Sequence, residues 1–170
     1  MRFKFKPGLL KIRRKPIKWI ILHHTSEMYH TPDTQIDNKK PQIDSLYKYA
    51  MEKKDIDINY HFVIEEIKED FQVVMGRPVT YLCDWNDIDI NINERAVHVG
   101  FMGSYDFKVP SERMLDVLSY KLLNPLMMKN GITIERVKLH RDLSNDNITC
   151  PGDLFDRERV VTHIKKYFRT

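Results

Sequence analysis

The sequence predicts an α/β domain built on a mixed central β-sheet flanked by helices. Three observations predict it. Short apolar runs of strand length recur along the chain, three segments carry apolar residues at helical spacing, and the two kinds of segment interleave. At 170 residues, 42% hydrophobic and 31% charged, the chain is long enough for one domain with a full core. The net charge of +4 is mildly basic. It suits a polyanionic partner and selects none.

The elements follow in order. Trp19–Leu22 is a run of large apolar residues between basic residues and His23-His24-Thr25, the pattern of a buried strand. Glu27–Lys40 is polar, with breakers at Pro32 and Pro41, and is expected to be loop. Ile43, Leu46, Tyr47 and Ala50 recur at helical spacing, with Asp44 well placed against the helix dipole. Tyr60–Ile64 and Phe71–Met75 are strands joined by the charged stretch Glu65–Asp70, and Gly76-Arg77-Pro78 ends the second. Asp84–Glu94 is acidic and Asn-rich, expected as loop. Ala96–Met102 is a fourth strand, stopped by Gly103. Pro110-Ser111 opens a long helix with Met114, Leu115, Leu118, Leu122 and Leu123 inward and Gly131 near its end. Val137–Leu139 is a short strand leading into His140, and Phe155–Phe168 a closing helix with Val160, Val161, Ile164 and Phe168 inward.

Several function classes are disfavoured. Basic residues recur through Met1–Lys15 and no apolar stretch of signal-peptide length follows, so synthesis in the cytoplasm is expected. Nothing approaches the ~20 apolar residues of a membrane span. The basic residues are scattered and no nucleic-acid recognition motif occurs, which argues against such a partner. Cys83 and Cys150 are too few for a disulfide scaffold.

The chemistry concentrates near the C-terminus. His140 and Cys150 flank a short Asn/Asp-rich loop, and both can reach one metal ion. His23 ends the first strand, as His140 ends the last, and strand carboxyl ends are where open α/β sheets form sites. Two imidazoles and one thiolate leave a tetrahedral zinc one open position, the pattern of a catalytic site. The chain has seven histidines, and a histidine is more often a surface or core residue than a ligand. Spacing alone leaves both readings open.

Five motifs occur in order: Ile20-Ile21-Leu22-His23-His24-Thr25, Ile58-Asn59-Tyr60-His61-Phe62-Val63-Ile64, Gly76-Arg77-Pro78, Asn93 through Gly103, and His140-Arg141-Asp142 with Cys150-Pro151-Gly152. Together they resemble the type 2 N-acetylmuramoyl-L-alanine amidase family, which includes amidase-type phage endolysins and peptidoglycan recognition proteins. The resemblance runs from about Trp19 to the C-terminus. It implies a basic N-terminal extension over residues 1–18 and an amidase-like catalytic domain over 19–170. It also implies a zinc at the floor of a groove, held by His23, His140 and Cys150. The implied reaction cleaves the amide between N-acetylmuramic acid and L-alanine of the peptidoglycan stem peptide. Tyr60 matches a tyrosine that sits beside the metal in phage members, where a phenol can hydrogen-bond the developing oxyanion. The expected partner is peptidoglycan or a soluble muropeptide, and the expected state a monomer. A phage lysis enzyme, a virion-associated hydrolase and a cytoplasmic recycling enzyme all fit.

Other residues have competing roles. Adjacent side chains of a strand face opposite ways, which separates His24 from His23 and His61 from Tyr60. His61 is expected in packing or in a hydrogen bond behind the site. His98 is read as structural, His30 and His163 as loop and helix surface. Thr25 and Asp142 support either the ligands or simply their turns. Arg77 and Arg141 are candidates for stem-peptide carboxylates, or ordinary paired arginines. Two departures from the family pattern stand out. Ile148 occupies a position where many active members carry lysine or threonine, and Thr149 beside it is the candidate substitute. Where relatives place a histidine between Tyr81 and Asn93, this chain has Cys83-Asp84-Trp85-Asn86-Asp87, and Trp85 is a candidate sugar platform. These departures keep a second reading open: a peptidoglycan-binding module with the same fold and weak or no hydrolysis.

Overall fold

Strand β1, Trp19–His24, forms the middle of the site-bearing half of the sheet because it is apolar on both faces and buried from Ile20 onward. A computed structural model describes residues 9–25, 43–52, 57–68 and 70–168. The expected loop at 27–40, and His30 within it, lie outside these residues. The other strands are β2 (Phe62–Ile67), β3 (Asp70–Met75), β4 (Ala96–Phe101) and β5 (Val137–Leu139). They form one five-stranded sheet in the order β3-β2-β4-β1-β5. The β2–β3 hairpin is antiparallel and every other pairing is parallel, so the sheet is mixed as expected.

Alternation along each strand divides the core. Ile20, Leu22, Val97, Val99, Phe101, Val137 and Leu139 pack with the C-terminal helices. Ile21 and Ala96 face the opposite side, with Ile88 and Trp85. There, Ile43, Leu46 and Ala50 of helix α1 (Ile43–Glu52) cover Ile58, Tyr60 and Val63. Full burial of such side chains contributes about 1.5–3 kcal/mol each.

The segment read as loop at 84–94 contains a short helix, α2 (Ile90–Asn93). Asp89 starts it by accepting a hydrogen bond from the Asn91 amide at 2.8 Å. The long helix is present as α3 (Glu112–Leu118), a π-type turn (Ser119–Leu123) and α4 (Asn124–Asn130). Ser111 caps its start and Gly131, at φ 59°, ends it. Pro125 explains the widened turn: it lacks an N–H, and its ring crowds the carbonyl four residues back. Helix α5 (Arg157–Tyr167) closes the fold, capped by Asp156.

Residues 9–18 are not a free-standing extension. Arg13 inserts into the sheet edge, donating to the carbonyls of Val79 (2.7 Å), Glu94 (2.8 Å) and Ala96 (2.7 Å). Ile12 bridges Tyr81. No described helix is long and apolar enough to cross a membrane.

Candidate metal centre

Strand register assembles the site. His23 follows Ile20–Leu22, so it emerges at the carboxyl end of β1 on the Ile21 face, 0% exposed. Opposite it on β4 stands Gly100. A Cβ there would lie 2.8 Å from the Tyr60 ring, so the missing side chain is what lets Tyr60 approach the imidazole. The two rings are 5.8 Å apart, edge to face. β5 pairs with the other edge of β1 and delivers His140 at its end; the rings of His23 and His140 are 4.4 Å apart.

Cys150 arrives from the loop that follows. Arg141 ties this loop down by donating to the carbonyls of Thr149 (3.2 Å), Gly152 (2.6 Å) and Phe155 (2.8 Å). Gly152, at φ 120°, presses so close to Tyr105 that a Cβ would lie 2.2 Å from its carbonyl carbon. The Cys150 sulfur stands 3.9 Å from His23 Nδ1 and accepts the His24 backbone N–H at 3.4 Å. His23, His140 and Cys150 each offer a ligand atom, and these atoms lie within 4.8 Å of one another.

These residues fit a zinc ion. The donor set is two nitrogens and one sulfur. Both ring nitrogens of His140 are buried and make no hydrogen bond among the described residues, which leaves a lone pair for something. Burial pushes the Cys150 thiol up to about 12, so a nearby cation is needed to hold it as thiolate. Burial, reinforced by the neighbouring histidines, drives His23 far below the ordinary histidine range. A neutral imidazole is the form that coordinates metal.

His24 is turned away, as strand alternation requires: its Nδ1 accepts the Tyr105 amide at 3.4 Å and its carbonyl accepts the Tyr60 hydroxyl at 3.2 Å. Trp85 stacks on His23 at 4.1 Å and meets His140 edge-on at 4.8 Å. Thr149 is exposed next to Cys150. Asp142 serves its turn, accepting the Leu139 amide at 3.1 Å, and Thr25 accepts the Gly103 amide at 3.0 Å.

Arg77 takes the paired form, one of its two readings. It is only 2% exposed, and its guanidinium is committed to the carbonyls of Leu82 and Asp57 and to the carboxylates of Asp57 and Asp84. It braces the chain and does not offer itself to a ligand. The Arg141 contacts likewise serve the Cys150 loop. His163 is also not surface: it is 5% exposed, between Glu112 and Asp116.

Two residues beside the ligands, His98 and Asp87, escaped the sequence reading. His98 Nδ1 lies 2.9 Å from His23 Nε2. His61 Nδ1 accepts the His98 backbone N–H at 2.9 Å, fixing that stretch of β4. Asp87 Oδ2 lies 2.7 Å from His140 Nε2. The signal for His98 was present but incomplete. It shares a face with His23, yet only the pairing Ile21–His98 puts the two side by side. Nothing local marks Asp87.

Residues 13–153 match the Amidase_2 family, N-acetylmuramoyl-L-alanine amidase. The chain belongs to this family. It is similar to peptidoglycan-recognition protein 2 of Holotrichia diomphalia, 30% identical over 149 residues, or 85% of this chain and 72% of that protein. Among solved structures, the endolysin amidase LysCS of Clostridium intestinale matches with a TM-score of 0.67 at 22% identity, covering 92% of this chain and 88% of that one. Wild-type Drosophila PGRP-LB matches with a TM-score of 0.60 at 20% identity, covering 94% of this chain and 85% of that one. At such identities these structures speak for the fold: the mixed five-stranded sheet flanked by helices is the Amidase_2 fold.

Proposed function

We propose that this chain is a zinc-dependent amidase that hydrolyses the bond between N-acetylmuramic acid and L-alanine in peptidoglycan or a soluble muropeptide. The observation that carries the reading is the convergence of His23, His140 and Cys150, from three distant segments, within 4.8 Å. The family and its amidase neighbours support the reaction class.

His23, His140 and Cys150 would hold the zinc. A zinc bound there supplies a Lewis acid that acidifies a water and polarises the scissile carbonyl. Tyr60 stands beside His23 with its hydroxyl on the His24 carbonyl. That carbonyl accepts the phenol's hydrogen bond in the resting site, and the hydroxyl swings from it to donate to the oxyanion as charge develops. Trp85 screens the ligands from water and offers a ring for the sugar. Thr149, exposed beside Cys150, is the candidate hydroxyl for the position that Ile148 leaves without a donor.

A second reading has its own support. The relative from Holotrichia diomphalia is named for recognition, and Ile148 cannot donate a hydrogen bond. In that reading the same site binds peptidoglycan and hydrolyses it weakly. Elemental analysis of the purified protein, with mass spectrometry of digested cell wall, tests both. One zinc per chain and stem peptides released with a free alanine amine, stopped by chelator, support the amidase. Wall binding without release supports the second reading.

A further inference from the structure

We infer that His98 and Asp87 are positioning residues that grip the two histidine ligands by their Nε2 atoms and commit both to bind metal through Nδ1. The inference rests on the zinc reading above. It concerns this chain's own residues.

An acceptor atom lies close to Nε2 of each ligand. His23 turns Nε2 to His98 Nδ1 (2.9 Å) and Nδ1 to the Cys150 sulfur (3.9 Å). Nε2 of His140 lies 2.7 Å from Asp87 Oδ2, an ion-pair approach, and both of its ring nitrogens are buried without a hydrogen bond among the described residues. A neutral imidazole that gives the Nδ1 lone pair to a metal must carry its proton on Nε2. That proton needs an acceptor, and one stands at each Nε2: a ring nitrogen for His23, a carboxylate for His140.

Both acceptors are themselves anchored. His98 is 0% exposed, and its backbone N–H is held by His61. The His61 ring is fixed in turn, with Nε2 2.9 Å from the Tyr81 carbonyl. Asp87 receives the Ser144 hydroxyl at 2.6 Å on the same oxygen, and its carbonyl receives the Asn145 amide at 2.8 Å. Asp87 therefore couples the segment before α2 to the loop joining His140 to Cys150. His98 bears a cost. Accepting from His23 places its own proton on Nε2, which is buried and unpartnered. A group held at such a cost is better explained by what it does for His23 than by stability.

The test begins with zinc-loaded wild-type protein carrying 15N-labelled histidine. Long-range proton–nitrogen correlation should show His23 and His140 metal-bound at Nδ1 and protonated at Nε2. Coordination of either through Nε2 overturns the inference. Zinc affinity by chelator competition gives the second arm. His98→Ala and Asp87→Ala should each weaken binding about 10–100-fold. His98→Asn and Asp87→Asn keep an oxygen acceptor near the same place and should stay within a few-fold of wild type. Alanine variants that bind zinc as tightly as wild type overturn the inference while leaving the zinc reading intact. A wild type that binds no zinc overturns both. If an alanine variant fails to fold, the nitrogen assignment on wild type still decides.

Discussion

Two histidine neighbourhoods of this molecule are built on opposite rules. On one face of the sheet His23, His61, His98 and His140 are buried together, and the carboxylate of Asp87 stands 2.7 Å from the His140 ring. Between α3 and α5, His163 sits between two carboxylates, Glu112 and Asp116, each at 2.8 Å, with Arg159 and Lys166 completing the network. The second arrangement staples two helices through paired side chains. The first penalises charge on every ring and keeps lone pairs available. Site histidines and structural histidines are thus told apart here by their partners, since burial is common to both.

The sharpest way to break the comparison is to remove ligands. His140→Ala or Cys150→Ser should abolish zinc binding and wall hydrolysis together, whereas His163→Gln should leave zinc content at wild-type level. Metal analysis and a zymogram on the same preparations measure it. Hydrolysis at full rate by a zinc-free variant would defeat the mechanism.

Acid should separate the two neighbourhoods next. Burial, with the cations of Arg13 and Arg77 nearby, lowers His61 to about 3. Burial and neighbouring histidines lower His98 too. A folded-state pKa below the unfolded one means that, as pH falls, the unfolded chain takes the proton first. Stability is therefore retained above about pH 6.5 and lost as pH falls from there toward about 3. Each such histidine contributes up to about 1.4 kcal/mol per pH unit. Urea unfolding of metal-free protein at pH 7, 6 and 5 should show this slope, and His61→Gln should flatten it. A slope unchanged by that substitution would place the acid sensitivity elsewhere.

Tyr60→Phe sharpens the comparison within the site itself. The phenol donates to the His24 carbonyl, so zinc content should hold while kcat falls about 10²-fold. An unchanged kcat would make Tyr60 a packing residue against Gly100.

What was legible in the sequence follows from range. The strands, the long helix and the three ligand candidates were visible because apolar periodicity and strand ends are local properties. His98 and Asp87 were not, because strand alternation tells which face a side chain takes but not which strand lies beside it. His98 acquires its meaning from the parallel pairing of Ile21 with His98, and Asp87 from a loop that meets His140 across the fold. The two readings of Arg77 stayed open for the same reason: its carboxylates, Asp57 and Asp84, come to it only through the fold. Helix α2 is too short to show a period, and only its Asp89 cap announces it.

The smallest expected effect lies at the other neighbourhood. Glu112 and the rim of Asp116 are open to solvent, where side-chain entropy and salt offset most of an ion pair. Glu112→Gln should therefore lower the melting midpoint by no more than a few degrees, and by less still at high salt. Zinc affinity should not change, since the substitution lies on the helical face of the sheet, away from the ligands. A large shift in zinc affinity would mean that the α3–α5 staple transmits to the strand ends, and the two neighbourhoods would have to be treated as one unit.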